Sequence, residues 1–277
     1  MVQYTRQQVL ERLKATLDKG EIIVAGGAGT GISAKFQERA GVDLLIVFNS
    51  GRYRMDGHGS LSGLLAFGNA NEIALEMGRR QVLPVVREIP VICGVNGVDP
   101  TKVMRTHLRE VVDSGFSGIN NFPTVGLIDG NFRASLESSN LGYGKEVEMV
   151  AIAHDMEIFS MVYVFNKDEA TAMAKAGADV IIAHLGLTAG GSIGATETVG
   201  LEEAAERTEE IAAAARKANP DVFVLVHGGP VARPQDVEYV LAKTSVVGFV
   251  GASSMERLPV EQSITDAAAA FKRIKRR

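Results

Sequence analysis

Short apolar runs recur along the chain, each followed by a polar or glycine-rich stretch. Eight of them stand out, at 22–25, 44–48, 91–94, 118–121, 159–164, 180–183, 222–226 and 247–250. They are continuous rather than alternating, as parallel strands read when both of their faces are buried. Helical periodicity fills the intervals at 33–40, 71–82, 101–114, 143–154, 168–176, 201–218, 235–242 and 260–274. An amphipathic, charged segment precedes the first run and predicts an N-terminal helix. Gly41, Gly115 and Gly177 each stand where a helix runs into a turn before an apolar run. There the left-handed conformation open to glycine ends the helix. Eight repeated βα units predict an α/β fold, a single (β/α)8 TIM barrel with an N-terminal helix over residues 1–277. A doubly wound open sheet is the alternative. Three connections are long, 49–71, 122–144 and 185–200. In a barrel they lie at the C-terminal mouth, where active sites are built.

Composition narrows the picture. The chain has 277 residues, 46% of them apolar, enough for a large core. Its 29 Lys and Arg against 33 Asp and Glu give a formal charge of −4, so no nucleic-acid partner is expected. The basic run 272–277 reads as a solvated helix end. No window has the length and apolarity of a membrane span or a signal peptide, so no membrane partner is expected. Cys93 is the single cysteine, which excludes an intrachain disulfide and fits a reducing, cytoplasmic setting.

Candidate chemistry gathers at the ends of the apolar runs. Gly26–Gly29 follows the first strand and opens a helix. Gly29-Thr-Gly-Ile-Ser-Ala matches a dinucleotide fingerprint, but the second strand ends at Asn49 without the acid a ribose needs. The turn, with Gly27, reads instead as backbone N–H groups facing an anion or as a plain turn. Asn49, Ser50, Arg52, Arg54, Asp56 and His58 follow the second strand; a guanidinium there fits a carboxylate or phosphate. Cys93 ends the third strand as a core thiol or a nucleophile. Asn120 and Asn121 end the fourth and could orient a carbonyl or enolate oxygen. Tyr163 ends the fifth as an oxyanion donor or a packing ring.

Two histidines occupy matching positions. His184 ends Val-Ile-Ile-Ala-His and His227 ends Val-Phe-Val-Leu-Val-His, each preceding glycine. Both are candidates for acid–base work near neutral pH. Beyond them, Ser192, Gly228, Gly229, Gly251, Ser253 and Ser254 line glycine-rich turns that would present N–H groups to an anion. An anion there would raise the His227 pKa by favouring its charged form. His107 and His154 fall on helices and are expected to be structural or exposed.

The segments GGAGTGISA, FNSGRYR, AHLGLTAGGSIGA, HGGP and GASSMERLP together resemble the phosphoenolpyruvate hydrolase-like family of TIM barrels, over about residues 5–275. The same module resembles the C-terminal domain of Tm-1-type plant virus-resistance proteins. The resemblance implies kinship with the phosphoenolpyruvate mutase and isocitrate lyase superfamily, whose members bind small keto or enol acids with magnesium. This chain departs from that superfamily at the third strand. There Ile-Cys-Gly-Val-Asn-Gly carries no carboxylate before Asp99, so the usual acidic magnesium ligands are not evident.

Two functions follow as expectations. One is a phosphoenolpyruvate or phosphonopyruvate hydrolase-like enzyme, a hydrolase or lyase cleaving a small keto or enol acid by acid–base chemistry at the mouth. The substrate is a small anion, and no strand-end lysine supports a Schiff base. The other is a non-catalytic ligand-sensing or signal-transduction module on the same barrel. A homo-oligomer is expected in either case.

Overall fold

The computed structural model describes residues 2–276. Helix α1 (Arg6–Asp18) leads into β1 (Ile23–Gly27), α2 (Gly31–Arg39), β2 (Leu44–Val47), α3 (Asn49–Met55), α4 (Ala70–Met77) and β3 (Val91–Gly94). Then come α5 (Met104–Asp113), β4 (Gly118–Asn120), α6 (Gly130–Ser138), α7 (Gly144–Asp155), β5 (Phe159–Val164) and α8 (Lys167–Lys175). The chain continues through β6 (Val180–His184), α9 (Leu201–Ala218), β7 (Phe223–His227), α10 (Pro234–Lys243), β8 (Gly248–Gly251) and α11 (Arg257–Lys272). The eight strands form one closed parallel barrel in sequence order, with β8 returning to pair with β1. The fold is the expected (β/α)8 barrel, not an open sheet.

Two apolar clusters account for the continuous apolar runs. On β6, Val180 and Ile182 belong to the barrel interior, whereas Ile181 and Ala183 face the surrounding helices. The same parity places Phe159, Met161 and Tyr163 inside on β5, and Leu225 inside on β7. Both faces are apolar because both are covered. Helix α1 seals the N-terminal end of the barrel. Its Val9 and Leu13 join the interior cluster. Arg6 grips Asp179 just before β6, and the Thr16 hydroxyl donates to Asp43 just before β2.

The expected glycine turns are present: Gly41, Gly115 and Gly177 have φ of 86°, 103° and 91°. Two of the three long connections differ from the sequence reading. The connection after β2 holds α3 and a 3-10 turn at Ser60–Leu64. The connection after β4 holds a 3-10 turn at Val125–Leu127 and α6. Neither α3 nor α6 shows a long apolar stripe, because each lies at the mouth rather than packed along the barrel wall. The connection after β6 has no helix of its own.

Candidate active site at the barrel mouth

Strand parity decides which side chains reach the mouth. Successive residues of a strand point to opposite faces. Because Val180 and Ile182 point inward, His184 does too; because Leu225 points inward, so does His227. The two histidines are register partners on adjacent strands. Tyr163 joins them from β5 by the same rule. Their rings pack closely: His184 to His227 is 4.7 Å between centroids, Tyr163 to His184 5.0 Å, and Tyr163 to His227 5.3 Å. Phe122 meets the Tyr163 ring edge-on, and Phe165 stacks obliquely on His184.

The rings of Phe122, Tyr163, His184 and His227 wall a cavity of about 40 Å³, room for roughly three water molecules. Phe48, Ser50 and Arg54 line it from the β2 side, Ser60 and Leu61 from the 3-10 turn, and Gly186 to Thr188 from the β6 connection. Ala252 and Ser253 complete it after β8. The Tyr163 hydroxyl is buried and takes no partner among the described residues. A buried polar atom left open in this way is normally satisfied by water or a ligand.

Each histidine has one nitrogen tied to backbone. His227 Nδ1 lies 2.7 Å from the Val250 carbonyl oxygen. A carbonyl can only accept, so Nδ1 carries the proton. His184 Nδ1 lies 3.0 Å from the Gly186 nitrogen, whose N–H donates to it. That nitrogen therefore carries a lone pair. Burial lowers the His227 pKa to about 4; the Val250 bond opposes the shift and the positive Arg54 adds to it. Burial, and then His227 itself, hold His184 well below the ordinary histidine value. Both rings are neutral at neutral pH. Burial also pushes the Tyr163 phenol up, so it remains a protonated donor.

The cation at this mouth is Arg54. Its Nε and Nη2 donate to Glu256 Oε2 at 3.0 and 2.7 Å, in a fully buried ion pair. The other Glu256 oxygen accepts the Gly29 N–H at 2.6 Å. Arg54 Nη1 has no partner among the described residues, and the guanidinium lines the cavity. Arg52, the other candidate after β2, pairs with Glu76 instead. Their separation follows from helix geometry: α3 winds between them, so residues two apart diverge. Asp56 and His58 are exposed. Glu256 was not among the candidates read from sequence. A carboxylate 227 residues after the Gly29 turn gives no local signal of pairing with it.

The remaining candidates divide between scaffold and cavity. Asn49 donates to the Gly63 carbonyl and Ser50 to the Ser60 carbonyl, tying the 3-10 turn across the mouth. Asn120 points inward, donates to the Met161 carbonyl and keeps a buried Oδ1 without a partner among the described residues. Asn121 points outward, donates to Glu146 and accepts from the Tyr163 N–H at 2.7 Å. Cys93 points into the strand–helix layer, and burial pushes its thiol pKa up.

Among the glycine turns, the Gly229 N–H is donated to the Gly186 carbonyl, and a Cβ at Gly228 would clash with that oxygen. Gly27 leaves room for Ala252 and the Arg54 head, and Gly251 packs against Met255. Ser253 reaches the cavity wall, while Ser254 is half-buried beyond it. Ser192 is bonded to Glu261 of α11, away from the cavity.

A hard divalent cation wants several oxygen ligands, carboxylates above all. The cavity wall offers none, and Glu256 behind Arg54 is spent on Arg54 and Gly29. Asp99 is taken by Thr101 and Asn71 and does not line this cavity. No cluster of three or more His, Cys, Asp or Glu able to hold a metal occurs among the described residues. The residues present do not fit magnesium.

Comparison with known proteins agrees with this architecture. The phosphoenolpyruvate hydrolase-like family model matches residues 8–274. The chain is 54% identical over 267 residues to the ToMV susceptible protein tm-1(GCR26) of Solanum lycopersicum, covering 96% of this chain and 35% of that protein. It is likewise 54% identical over 270 residues to the ToMV resistance protein Tm-1(GCR237) of the same plant, covering 97% and 36%. The chain thus spans about a third of the length of these tomato relatives. Among solved structures, a phosphonopyruvate hydrolase complexed with oxalate and Mg++ aligns with a TM-score of 0.59 at 19% identity, covering 96% of this chain and 87% of that one. At that identity the likeness is one of fold.

Proposed function

The chain belongs to the phosphoenolpyruvate hydrolase-like family, and from that premise we propose that it is an enzyme binding and cleaving a small keto or enol acid at the C-terminal mouth of its barrel. The observation that carries this reading is the convergence of His184, His227, the open Tyr163 hydroxyl and Arg54 on one small cavity. Arg54 Nη1 receives the carboxylate, with Glu256 holding the guanidinium in place. Tyr163 donates to the oxygen that gains negative charge. The histidine pair moves the proton. The cavity favours short acids, of about two or three carbons in its present form. A larger acid needs part of this wall to move, and Ser60 and Leu61 of the 3-10 turn and Gly186 to Thr188 of the β6 connection are parts of it.

Purified protein offered phosphoenolpyruvate, phosphonopyruvate and oxaloacetate, with chelator present, tests the reading. Turnover that falls on replacing His184 or His227 by Ala supports it. Binding of the acid with affinity unchanged in both variants, and no turnover in the parent, makes the chain a non-catalytic ligand-sensing module instead.

The proposal extends to assembly and setting. A closed homo-oligomer is supported by apolar side chains left on the surface, with Ile32 and Phe36 on α2 and Ile264 and Phe271 on α11. A monomeric mass at micromolar concentration contradicts it. No helix among the described residues is long and apolar enough to cross a membrane. The cytoplasm is the proposed compartment, in keeping with a single buried thiol.

A further inference from the structure

The two histidines at the mouth do not offer the same chemistry, although their sequence contexts match. The Val250 carbonyl fixes the proton of His227 on Nδ1, which leaves a lone pair on Nε2. The Gly186 N–H fixes a lone pair on His184 Nδ1, which places the proton on Nε2. Both Nδ1 atoms face backbone, so the Nε2 atoms are the ones the rings present to the cavity they line. One ring shows a donor there and the other an acceptor, with the ring centroids 4.7 Å apart.

We infer that His227 is the proton acceptor of this site and His184 its hydrogen-bond donor. The pair reads a ligand that carries a hydroxyl next to an acceptor oxygen, a 2-hydroxy or enol acid. This inference rests on the reading of the mouth as a small-acid site, but assigns each histidine a direction that reading leaves open. A ligand with acceptor oxygens alone sets a lone pair against the lone pair of His227 Nε2. It binds well only if that nitrogen first takes up a proton.

The titratable and charged groups facing His227 are few. They are His184 on β6, Tyr163 on β5 and Arg54 from α3, with Glu256 behind Arg54 offsetting its charge. None of them donates to or accepts from Nε2, so the ligand is what sets its protonation.

The test uses the full chain labelled with nitrogen-15 histidine, its ring signals assigned by loss in His184→Gln and His227→Gln. At pH 8, two-bond correlations should show His227 protonated on Nδ1 and His184 on Nε2. Two rings in the same tautomer, or the reverse pair, overturn the inference. Glycolate and oxalate then serve as probes in calorimetry. Glycolate should bind at pH 8 without proton uptake. Oxalate should take up close to one proton and weaken by about tenfold per pH unit as pH rises. Oxalate binding that is independent of pH and releases or takes up no proton also overturns the inference. If neither acid binds, the small-acid reading itself fails and the ligand assignment with it, whatever the tautomers.

Discussion

On the side of the mouth built by β1, β2 and β8, most polar groups satisfy one another, with Arg54 Nη1 and the buried Asn49 Oδ1 left over. Arg54 and the Gly29 N–H close on Glu256, and Asn49 and Ser50 close on the 3-10 turn. On the side built by β5, β6 and β7, the Tyr163 hydroxyl and one nitrogen each of His184 and His227 are left open to a cavity. Both sides are buried and polar, and both carried candidates in the sequence. Residue type alone does not mark a site at a barrel mouth; a hydrogen-bonding valence left open toward a cavity does. Arg54 belongs to both sides: its edge paired with Glu256 builds the wall, and its free Nη1 faces what the wall encloses.

Changes on the open side should cost activity and spare the fold. His227→Ala should lower turnover by about 10²- to 10⁴-fold, the range for loss of a positioned acid or base, with the denaturant midpoint close to that of the parent. Unaltered turnover refutes the role. Changes on the closed side should do the opposite. Glu256→Ala strips the partner from a buried guanidinium and should destabilise the fold by about 3–5 kcal/mol in urea unfolding. A loss under about 1 kcal/mol would show that water, not protein, solvates Arg54.

Acid separates the two sides in another way. The folded-state pKa of His227 lies near 4, below its unfolded value. At intermediate pH the unfolded chain therefore binds the extra proton. Stability is full above about pH 6.5 and falls as pH drops toward 4, on the order of 2–3 kcal/mol from this ring. His227→Gln should remove that part of the slope. The smallest effect is expected at Ser192, whose bonds to Glu261 lie outside the cavity. Ser192→Ala should change stability by about 0.5 kcal/mol or less and leave acid binding unaltered. A loss of binding would bring the β6 connection into the site.

The barrel was legible because eight apolar runs and three helix-ending glycines are local signals. The strand ends were legible as the place to look, and His184, His227 and Tyr163 do meet there. What was hidden is which face each residue takes. Because both faces of these strands are apolar, the run around Cys93 looks alike whether its thiol points in or out. Register places Ile92 inside and Cys93 outside. Asn120 and Asn121 are separated in the same way, one pointing inward and the other bonded to Glu146. The choice of Arg54 over Arg52 required knowing that α3 winds through what reads as a loop. The Glu256 pairing is a contact between the two ends of the chain. No spacing rule reaches it, since it exists only once β8 closes on β1.

In this reading the ligand sits in the cavity between Arg54, Tyr163 and the two histidines, not on the glycine turns around it. A crystal structure of the protein soaked with glycolate tests this most directly. The carboxylate should lie within hydrogen-bond distance of Arg54 Nη1 with one of its oxygens beside His184 Nε2, and the hydroxyl should donate to His227 Nε2. Glycolate seated instead on the backbone of Gly228–Gly229 and Gly251–Ser254, with the cavity holding only water, would contradict that reading.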